Sequence, residues 1–136
     1  MIIADTNVVS ELFKPEPDAR VLAWLEKSVD VAVTTVTIGE VWAGIENLPE
    51  GTRKAGLAAL ATDLFEEFGD EVEVYDFRAA RAYGRIVAER RRIGRPIGYA
   101  DAQIAAICMV NDCPVATRNV KDFTNLRIAI INPWEV

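Results

Sequence analysis

Three acidic residues of this sequence lie at or inside apolar segments, where a charge needs an explanation. Asp5 closes the apolar run Met1–Ala4, Asp101 precedes the apolar stretch 102–110, and Glu40 lies inside another apolar segment. Carboxylates held within a few ångströms repel one another and raise one another's pKa unless a cation neutralises them. An all-oxygen ligand set selects the hard ions Mg²⁺ or Mn²⁺, and such a site activates water for phosphodiester hydrolysis.

Each of these acids also has an ordinary structural interpretation. Asp5 is a suitable cap for a helix that follows it. Asp101 fits the first turn of a helix, where a negative charge is favourable to the helix dipole. Thr37 and Glu40 form the pattern Thr-x-x-Glu of a capping box. Both interpretations stay open for each residue taken singly.

A fourth polar region directly follows a predicted strand. The segment Thr117–Phe123 contains Asn119 and Asp122, and such residues in loops commonly form turns. The carboxyl ends of parallel strands, however, meet at one edge of a sheet, where binding residues are found. We therefore expect the acids that follow strands or begin helices to share one edge.

The composition excludes several other kinds of site. The chain has no histidine, which rules out serine–histidine and cysteine–histidine catalysis and histidine-bound zinc. Its two cysteines, Cys108 and Cys113, cannot form a four-cysteine site, and Cys108 is expected in the core of a protein from a reducing compartment. Acid–base or metal chemistry must therefore depend on the 21 carboxylates.

The elements that must position these residues alternate along the chain. Strands are predicted at Met1–Ala4, Val31–Thr35, Val72–Tyr75, Pro114–Thr117 and Arg127–Ile131. Helices are predicted over Val8–Phe13, around Val21–Leu25, from Thr37, up to Gly69, over 77–93 and over Ala100–Val110. Short apolar strands that alternate with helices indicate a three-layer α/β/α fold with a four- or five-stranded, mainly parallel sheet.

The length and hydropathy of the chain bear on the number of domains and on membrane insertion. The chain has 136 residues, of which 51% are hydrophobic, and we expect a single domain over residues 1–136 with its own core. No apolar run approaches the roughly 18 residues of a membrane span, and the first residues lack the basic start of a signal peptide. We therefore expect a cytoplasmic protein that does not contact membranes.

The net charge of −6 conceals two opposed blocks. Residues 63–76 contain seven acids and no base, whereas residues 78–95 contain seven arginines and a single acid, Glu89. One interpretation of the arginines is a solvated helix face that pairs partly with the acidic block. The other is a surface for phosphates, because the arginine fork matches phosphate oxygens at two points.

Five segments together resemble a known family of nucleases. In order and spacing, the chain is similar to the PIN-domain nucleases, and more narrowly to the toxins of bacterial VapBC-type toxin–antitoxin pairs in the FitB-like branch. The segments that carry this resemblance are Ile3–Glu11, the residues around Glu40, Ala100–Ala105, Ala116–Phe123 and Ile131–Trp134. The resemblance implies a small α/β/α domain that hydrolyses RNA with Mg²⁺ or Mn²⁺.

The same resemblance implies roles for individual residues. Asp5 and Asp101 match the metal-binding aspartates, and Glu40 matches a third acid that orients or deprotonates the attacking water. Some relatives have Thr-Arg-Asp where this chain has Thr117-Arg118-Asn119. Asn119 therefore stands at the fourth acidic position as a neutral residue that steadies the cluster without adding charge.

Further residues complete the implied site. Thr6, Asn7 and Thr117 are expected to donate hydrogen bonds that orient the carboxylates. Asp122, within about one helical turn of Asn119, either compensates for the missing charge or forms a turn. The number of metal ions stays open.

The resemblance also implies a homodimer and an antitoxin partner. A basic, partly disordered antitoxin segment would fold on binding and place an arginine at Asp5, Glu40 or Asp101. The apolar stretches around Trp24, Trp42 and Ile45 either belong to the core or face this partner.

Two other functional classes remain as alternatives. A phosphoacceptor receiver module is also α/β, acidic and Mg²⁺-dependent, but it has paired acids after its first strand, whereas Thr6 follows Asp5 here. A catalytically silent PIN-fold binding module, regulated by a partner protein, is compatible with the neutral Asn119. Metal-dependent cleavage by the pure protein separates the enzyme from both.

Overall fold

The computed structural model describes residues 1–136, and a five-stranded parallel sheet lies at its centre. The strands are β1 (Ile2–Ala4), β2 (Val31–Thr34), β3 (Val72–Glu73), β4 (Val115–Ala116) and β5 (Ile130–Ile131). Their spatial order is β3-β2-β1-β4-β5, and all four neighbouring pairs are parallel. The first strand of the chain is thus the central strand of the sheet.

Seven helices cover the sheet. They are α1 (Thr6–Glu11), α2 (Ala19–Lys27), α3 (Thr35–Glu46), α4 (Thr52–Phe68), α5 (Phe77–Arg92), α6 (Tyr99–Val110) and α7 (Val120–Phe123). None of them is long and apolar enough to traverse a lipid bilayer.

Alternation along the strands divides the core in two. Successive strand residues point to opposite faces of a sheet, so each strand contributes to both layers. One core contains Ile3, Ala32 and Val115 together with buried residues of α5, α6 and α7. The other contains Ala4, Val33 and Ala116 together with buried residues of α1 to α4. The predicted three-layer α/β/α fold is confirmed, and the sheet, expected to have four or five mainly parallel strands, has five that are all parallel.

The element boundaries differ from the sequence-based prediction in ways that bear on the site. The third helix begins at Thr35, not at Thr37, because Thr34 at the end of β2 is its N-cap and its Oγ1 accepts from the Thr37 N–H at 3.1 Å. The first helix begins directly after Asp5, at Thr6. A short helix, α7, was not predicted, since four residues are too few to show helical periodicity.

The two cysteines lie away from any reactive arrangement. Cys108 and Cys113 are both buried and both free. Burial raises the pKa of both thiols. The expectation of a core position for Cys108 is therefore confirmed.

Candidate active site

Polar side chains collect at the carboxyl ends of the three adjacent strands β2, β1 and β4. Asp5 follows β1, Thr117 follows β4, and Thr34 closes β2. A parallel sheet places the ends of these strands side by side, so residues distant in sequence become neighbours. The side chains of Asp5 and Thr117, which are 112 positions apart, form a direct hydrogen bond.

Asp5 is held in place by three donors. It is only 2% exposed. Its Oδ1 accepts from the Thr6 N–H at 2.8 Å, so the residue caps α1 as well as facing the site. Its Oδ2 accepts from Thr117 Oγ1 at 2.7 Å and from Asn7 Nδ2 at 3.0 Å. The auxiliary roles expected for these three neighbours fit this arrangement of bonds.

Asn7 and Thr117 also tie the loop after β4 to α1. Asn7 Oδ1 accepts from the Arg118 N–H at 3.2 Å, and Thr117 Oγ1 accepts from the Asn119 N–H at 3.0 Å. The two side chains that orient the Asp5 carboxylate therefore also anchor the loop that carries the remaining polar residues. Such bonds are the usual means by which a protein orients the ligands of a functional site.

Glu40 joins the cluster through a short chain of hydroxyl groups. Its Oε1 accepts from Thr6 Oγ1 at 2.6 Å, and Thr6 Oγ1 lies 3.0 Å from Thr37 Oγ1. Thr37 is the third residue of α3 and its hydroxyl faces Thr34 and Thr6, so it does not form a capping box with Glu40. The capping-box interpretation is therefore wrong, and Glu40 lies beside Asp5 through Thr6.

Asp101 is a carboxyl group whose surroundings raise its pKa. It lies in the first turn of α6, is half-buried and accepts no hydrogen bond from the protein. Burial and then the charges of Asp5, Asp122 and Glu40 raise its pKa from 3.8 to about 6, against a smaller opposing effect of Arg90. Burial also raises the pKa of Asp5, despite the hydrogen bonds that it accepts, with further contributions from Glu40 and Asp122.

These electrostatic effects distinguish Asp122 from Asn119. Asp122 lies in α7, is half-buried, and its charge raises the pKa of both Asp5 and Asp101. Asn119 is the residue before α7, and its exposed side chain makes neither a capping bond nor a bond to a carboxylate. Of the two residues, Asp122 is therefore the one whose negative charge acts on Asp5 and Asp101, while Asn119 contributes its backbone N–H to Thr117.

Arg90 has a structural role that the sequence analysis did not predict. It is the only arginine of the 78–95 block that is buried, with 3% of its surface exposed. Its Nε donates to the Arg95 carbonyl at 2.7 Å, and its Nη1 donates to the carbonyls of Asp122 at 2.9 Å and Thr124 at 3.4 Å. Arg90 is thus unavailable to a phosphate, and instead fixes the end of α5 against α7.

An apolar groove opens beside Glu40. It is bordered by α1, α3 and α4 and is lined by Ser10, Phe13, Glu40, Val41, Gly44, Ile45, Leu48, Arg53 and Leu57. Trp24 and Trp42 are half-buried against the adjoining core. Of the three apolar residues considered for a partner surface, Ile45 lines this groove, whereas the two tryptophans pack mainly into the protein.

The donor set suits a hard cation bound mostly through water. No three acidic or thiol groups are close enough together to ligate one ion directly. Mg²⁺ in proteins commonly uses one or two carboxylates and keeps several waters. The charges of Asp5 and Asp101 repel each other, and a bound cation would relieve that repulsion.

Comparison with known sequences places this arrangement in a family. Residues 2–128 match the model of the PIN domain. The chain is 38% identical to the plasmid stability protein StbB of Pseudomonas syringae pv. tomato over 99% of both chains. It is 36% identical to the VapC ribonuclease Y4jK of Sinorhizobium fredii over 99% of both, and 34% identical to the toxin FitB of Neisseria gonorrhoeae over 98% of this chain and 99% of FitB.

Solved structures give the same answer. The fold superposes on the crystal structure of FitAcB from Neisseria gonorrhoeae with a TM-score of 0.93 and 33% identity, over 100% of both chains. A structure of FitAB bound to a DNA fragment aligns with a TM-score of 0.94 and 32% identity, over 100% of this chain and 97% of that one. The chain belongs to the PIN-domain family, in the branch that contains the FitB toxin and VapC ribonucleases.

Proposed function

We propose that this protein is an Mg²⁺- or Mn²⁺-dependent endoribonuclease and the toxin of a bacterial toxin–antitoxin pair. The observation that carries this proposal is the convergence of Asp5, Glu40, Asp101 and Asp122 on one edge of the sheet, with no cation of the chain paired to any of them. The ribonuclease names of VapC relatives and the toxin name of FitB support it.

Asp5 and Asp101 would hold the ion. The donors around Asp5 leave its carboxylate in one orientation, and Asp101 has no hydrogen bond that competes with a cation or its waters. A bound divalent ion would neutralise charge that develops on the phosphate and help to activate water. Asp122 would add negative charge to the cation site without being required as a direct ligand.

Glu40 would act on the attacking water. It is exposed at the mouth of the site, and Thr6 holds only one of its carboxylate oxygens. The other oxygen has no partner in the chain and can accept a hydrogen bond from water near Asp5. A carboxylate held in this way can orient the water and accept its proton.

The experiment is cleavage of single-stranded RNA by the purified chain, with Mg²⁺ or Mn²⁺ and with EDTA. We expect cleavage with the ion, loss of cleavage in EDTA, and recovery when the ion is restored in excess. Asp63→Asn controls for the loss of an acid away from the site. Asp63 is an exposed acid of α4, and this variant should cleave like the parent. Equal cleavage in EDTA would overturn the metal assignment.

A partner protein would regulate this site. Related solved structures include FitAcB of Neisseria gonorrhoeae and DNA-bound VapBC of Salmonella typhimurium, which is 25% identical with a TM-score of 0.82. The apolar groove that ends at Glu40 fits one face of an antitoxin helix, and an arginine from that segment would reach the unpaired carboxylates.

Co-expression with the product of the neighbouring gene tests the partner. The complex should purify intact and lack nuclease activity. An antitoxin without the arginine should still bind but should inhibit poorly. If the neighbouring product neither binds nor inhibits, the toxin role fails while the nuclease assignment stands. The homodimer is likewise a proposal, and sedimentation of the free chain tests it.

The alternative function is a silent PIN-fold binding module. The neutral Asn119 at the fourth acidic position favours it, whereas Asp122 supplies the missing charge and favours the enzyme. Binding of a partner without any metal-dependent cleavage would support the module.

A further inference from the structure

The outward face of α5 is a strip of arginines. The helix buries Ala79, Ala82 and Ile86 against α6, and with them Arg90. The opposite face, at positions i, i+4, i+7 and i+11, is formed by Arg81, Arg85, Ala88 and Arg92, all of them exposed. At 1.5 Å per residue the face extends about 16 Å. We call its three arginines the α5 strip.

The α5 strip is not neutralised within the chain. The ion pairs of the protein involve Lys14, Arg20, Lys54 and the N-terminus, and no arginine of α5 takes part in one. Among the strip residues, only Arg92 forms a hydrogen bond to the protein, from Nε to the Ala88 carbonyl at 3.4 Å. The expected pairing with the acidic block 63–76 is therefore absent.

The surface between these arginines is concave and polar. A shallow depression on this face is lined by Arg81, Gly84, Arg85, Ala88, Glu89 and Arg92. Ala88 is its sole apolar lining residue. Protein interfaces need an apolar centre with few charges, and this depression does not provide one. Several arginine forks around an open trough match the oxygens of a phosphate backbone instead.

The α5 strip leads towards the acidic cluster. Arg92 closes α5, and the neighbouring Arg90 donates to the Asp122 carbonyl. Arg95, three residues beyond the end of α5, lies beside α7, with its Nη2 3.5 Å from the Lys121 carbonyl. A strand that runs along the α5 strip would therefore arrive near α7, the helix that carries Asp122.

We propose that the α5 strip binds the phosphate backbone of the RNA strand that flanks the cleaved bond. This inference rests on the proposed function, since it assigns a path for that substrate outside the catalytic cluster. It is independent of Asp5, Glu40 and Asp101, whose charges repel phosphate.

The test compares two double variants with equal changes in net charge. Arg81→Gln with Arg85→Gln removes two charges from the α5 strip. Lys27→Gln with Arg127→Gln removes two exposed charges elsewhere, neither of which forms an ion pair. Both are made in the Asp101→Asn background, so that a labelled single-stranded RNA of mixed sequence survives the titration. Affinity is measured between about 50 and 200 mM salt.

We expect the strip variant to bind more weakly and to flatten the salt dependence by about 0.7 for each phosphate that is no longer neutralised, or about 1.4 for the pair of arginines. The matched variant should keep the parental slope. Equal slopes in all three proteins would overturn the inference. Equal slopes together with dissociation of a dimer only in the strip variant would assign the arginines to the acidic block of a second copy.

A failure of the inference can be told apart from a failure of the proposed function. If the metal-dependent nuclease is active but the slopes agree, only the α5 strip is misassigned. If the Asp101→Asn protein binds no RNA and the unmodified protein cleaves none, the proposed function itself is wrong.

Discussion

The two buried carboxylates at opposite ends of α1, Asp5 and Glu11, have opposite electrostatic surroundings. Asp5 is 2% exposed and Glu11 is 4% exposed. Glu11 has its own cation, with Lys14 Nζ 2.8 Å from Oε2, and its Oε1 accepts from the Asp18 N–H at 2.9 Å. The Lys14 hydrogen bond lowers the pKa of Glu11, whereas burial raises the pKa of Asp5.

The comparison separates an acid whose charge is compensated within the chain from one whose charge is not. A buried carboxylate with a cation and a backbone donor has its charge compensated within the chain, so it needs no positive ligand from outside. Asp5 has donors but no cation, and its nearest charges are those of other acids. Such an arrangement costs folding free energy, and it persists where a ligand from outside supplies the missing positive charge.

The largest expected effect on RNA cleavage follows from removing the negative charge of Asp5. Asp5→Asn keeps the cap on α1, since asparagine is a good N-cap, but removes a carboxylate that we propose holds the metal ion. We expect RNA cleavage to fall at least about 100-fold, or about 3 kcal/mol of transition-state free energy. Glu11→Gln is the matched variant, and its cleavage rate should stay within a few-fold of the parent. Similar losses in both variants would erase the distinction.

Substitution of Arg90 tests whether a buried charge can support catalysis without contacting the proposed catalytic residues. Arg90→Gln leaves at least one of three carbonyls without its donor, so we expect the free energy of unfolding to fall by about 2 kcal/mol. Because α7 then loses its anchor, kcat should fall about tenfold with a smaller change in KM. The exposed neighbour provides the control, and Arg91→Gln should change neither quantity appreciably.

The raised pKa of Asp101 predicts that its contribution to folding stability decreases as the pH rises. Its pKa is about 6 in the folded protein against 3.8 ordinarily, so its contribution to stability is complete below about pH 3.8 and is lost as the pH rises through 6. In urea unfolding with a chelator present, Asp101→Asn should gain stability relative to the parent over that range, by about 1 kcal/mol after allowance for solvent screening. A difference that does not vary with pH would contradict this.

The lowered pKa of Glu11 predicts the opposite pH dependence of folding stability, and the effect should be the smallest of the four. Its pKa is lowered from 4.5, so its contribution is present above that value and is lost as the pH falls. Glu11→Gln should cost less than about 1 kcal/mol at pH 7, since Lys14 is half exposed and the pair is screened. The cost should shrink below pH 4.5. Opposite slopes for the Asp101 and Glu11 variants in one unfolding series would confirm the comparison.

Much of the site was predictable because short-range patterns specify it. An apolar run that ends in Asp5, and an acid that opens an apolar helix at Asp101, are visible within a few residues. The parallel sheet then brings such positions together without further information. Glu40 was ambiguous, because Thr37-x-x-Glu40 also fits a capping box, and the start of α3 at Thr35 depends on Thr34 in the sheet.

The rest depended on contacts that no local pattern reveals. Arg90 belongs by composition to the arginine block, and its burial results from carbonyl groups 32 and 34 positions further along the chain. The contribution of Asp122 likewise depends on α7, a helix too short to be periodic. The lack of ion pairs between the acidic and basic blocks was also invisible, since neighbours in sequence need not face each other in the fold.

The position of β1 has a consequence for the moment at which the protein becomes active. The central strand β1 is synthesised before the other four strands of the sheet, and Asp5 obtains its Thr117 donor only from a residue 112 positions later. At about 5–20 residues per second, that interval lasts about 6 to 20 seconds. A growing chain therefore exposes Asp5 long before its hydrogen-bond partners are in place, and a partner translated nearby has that time to arrive.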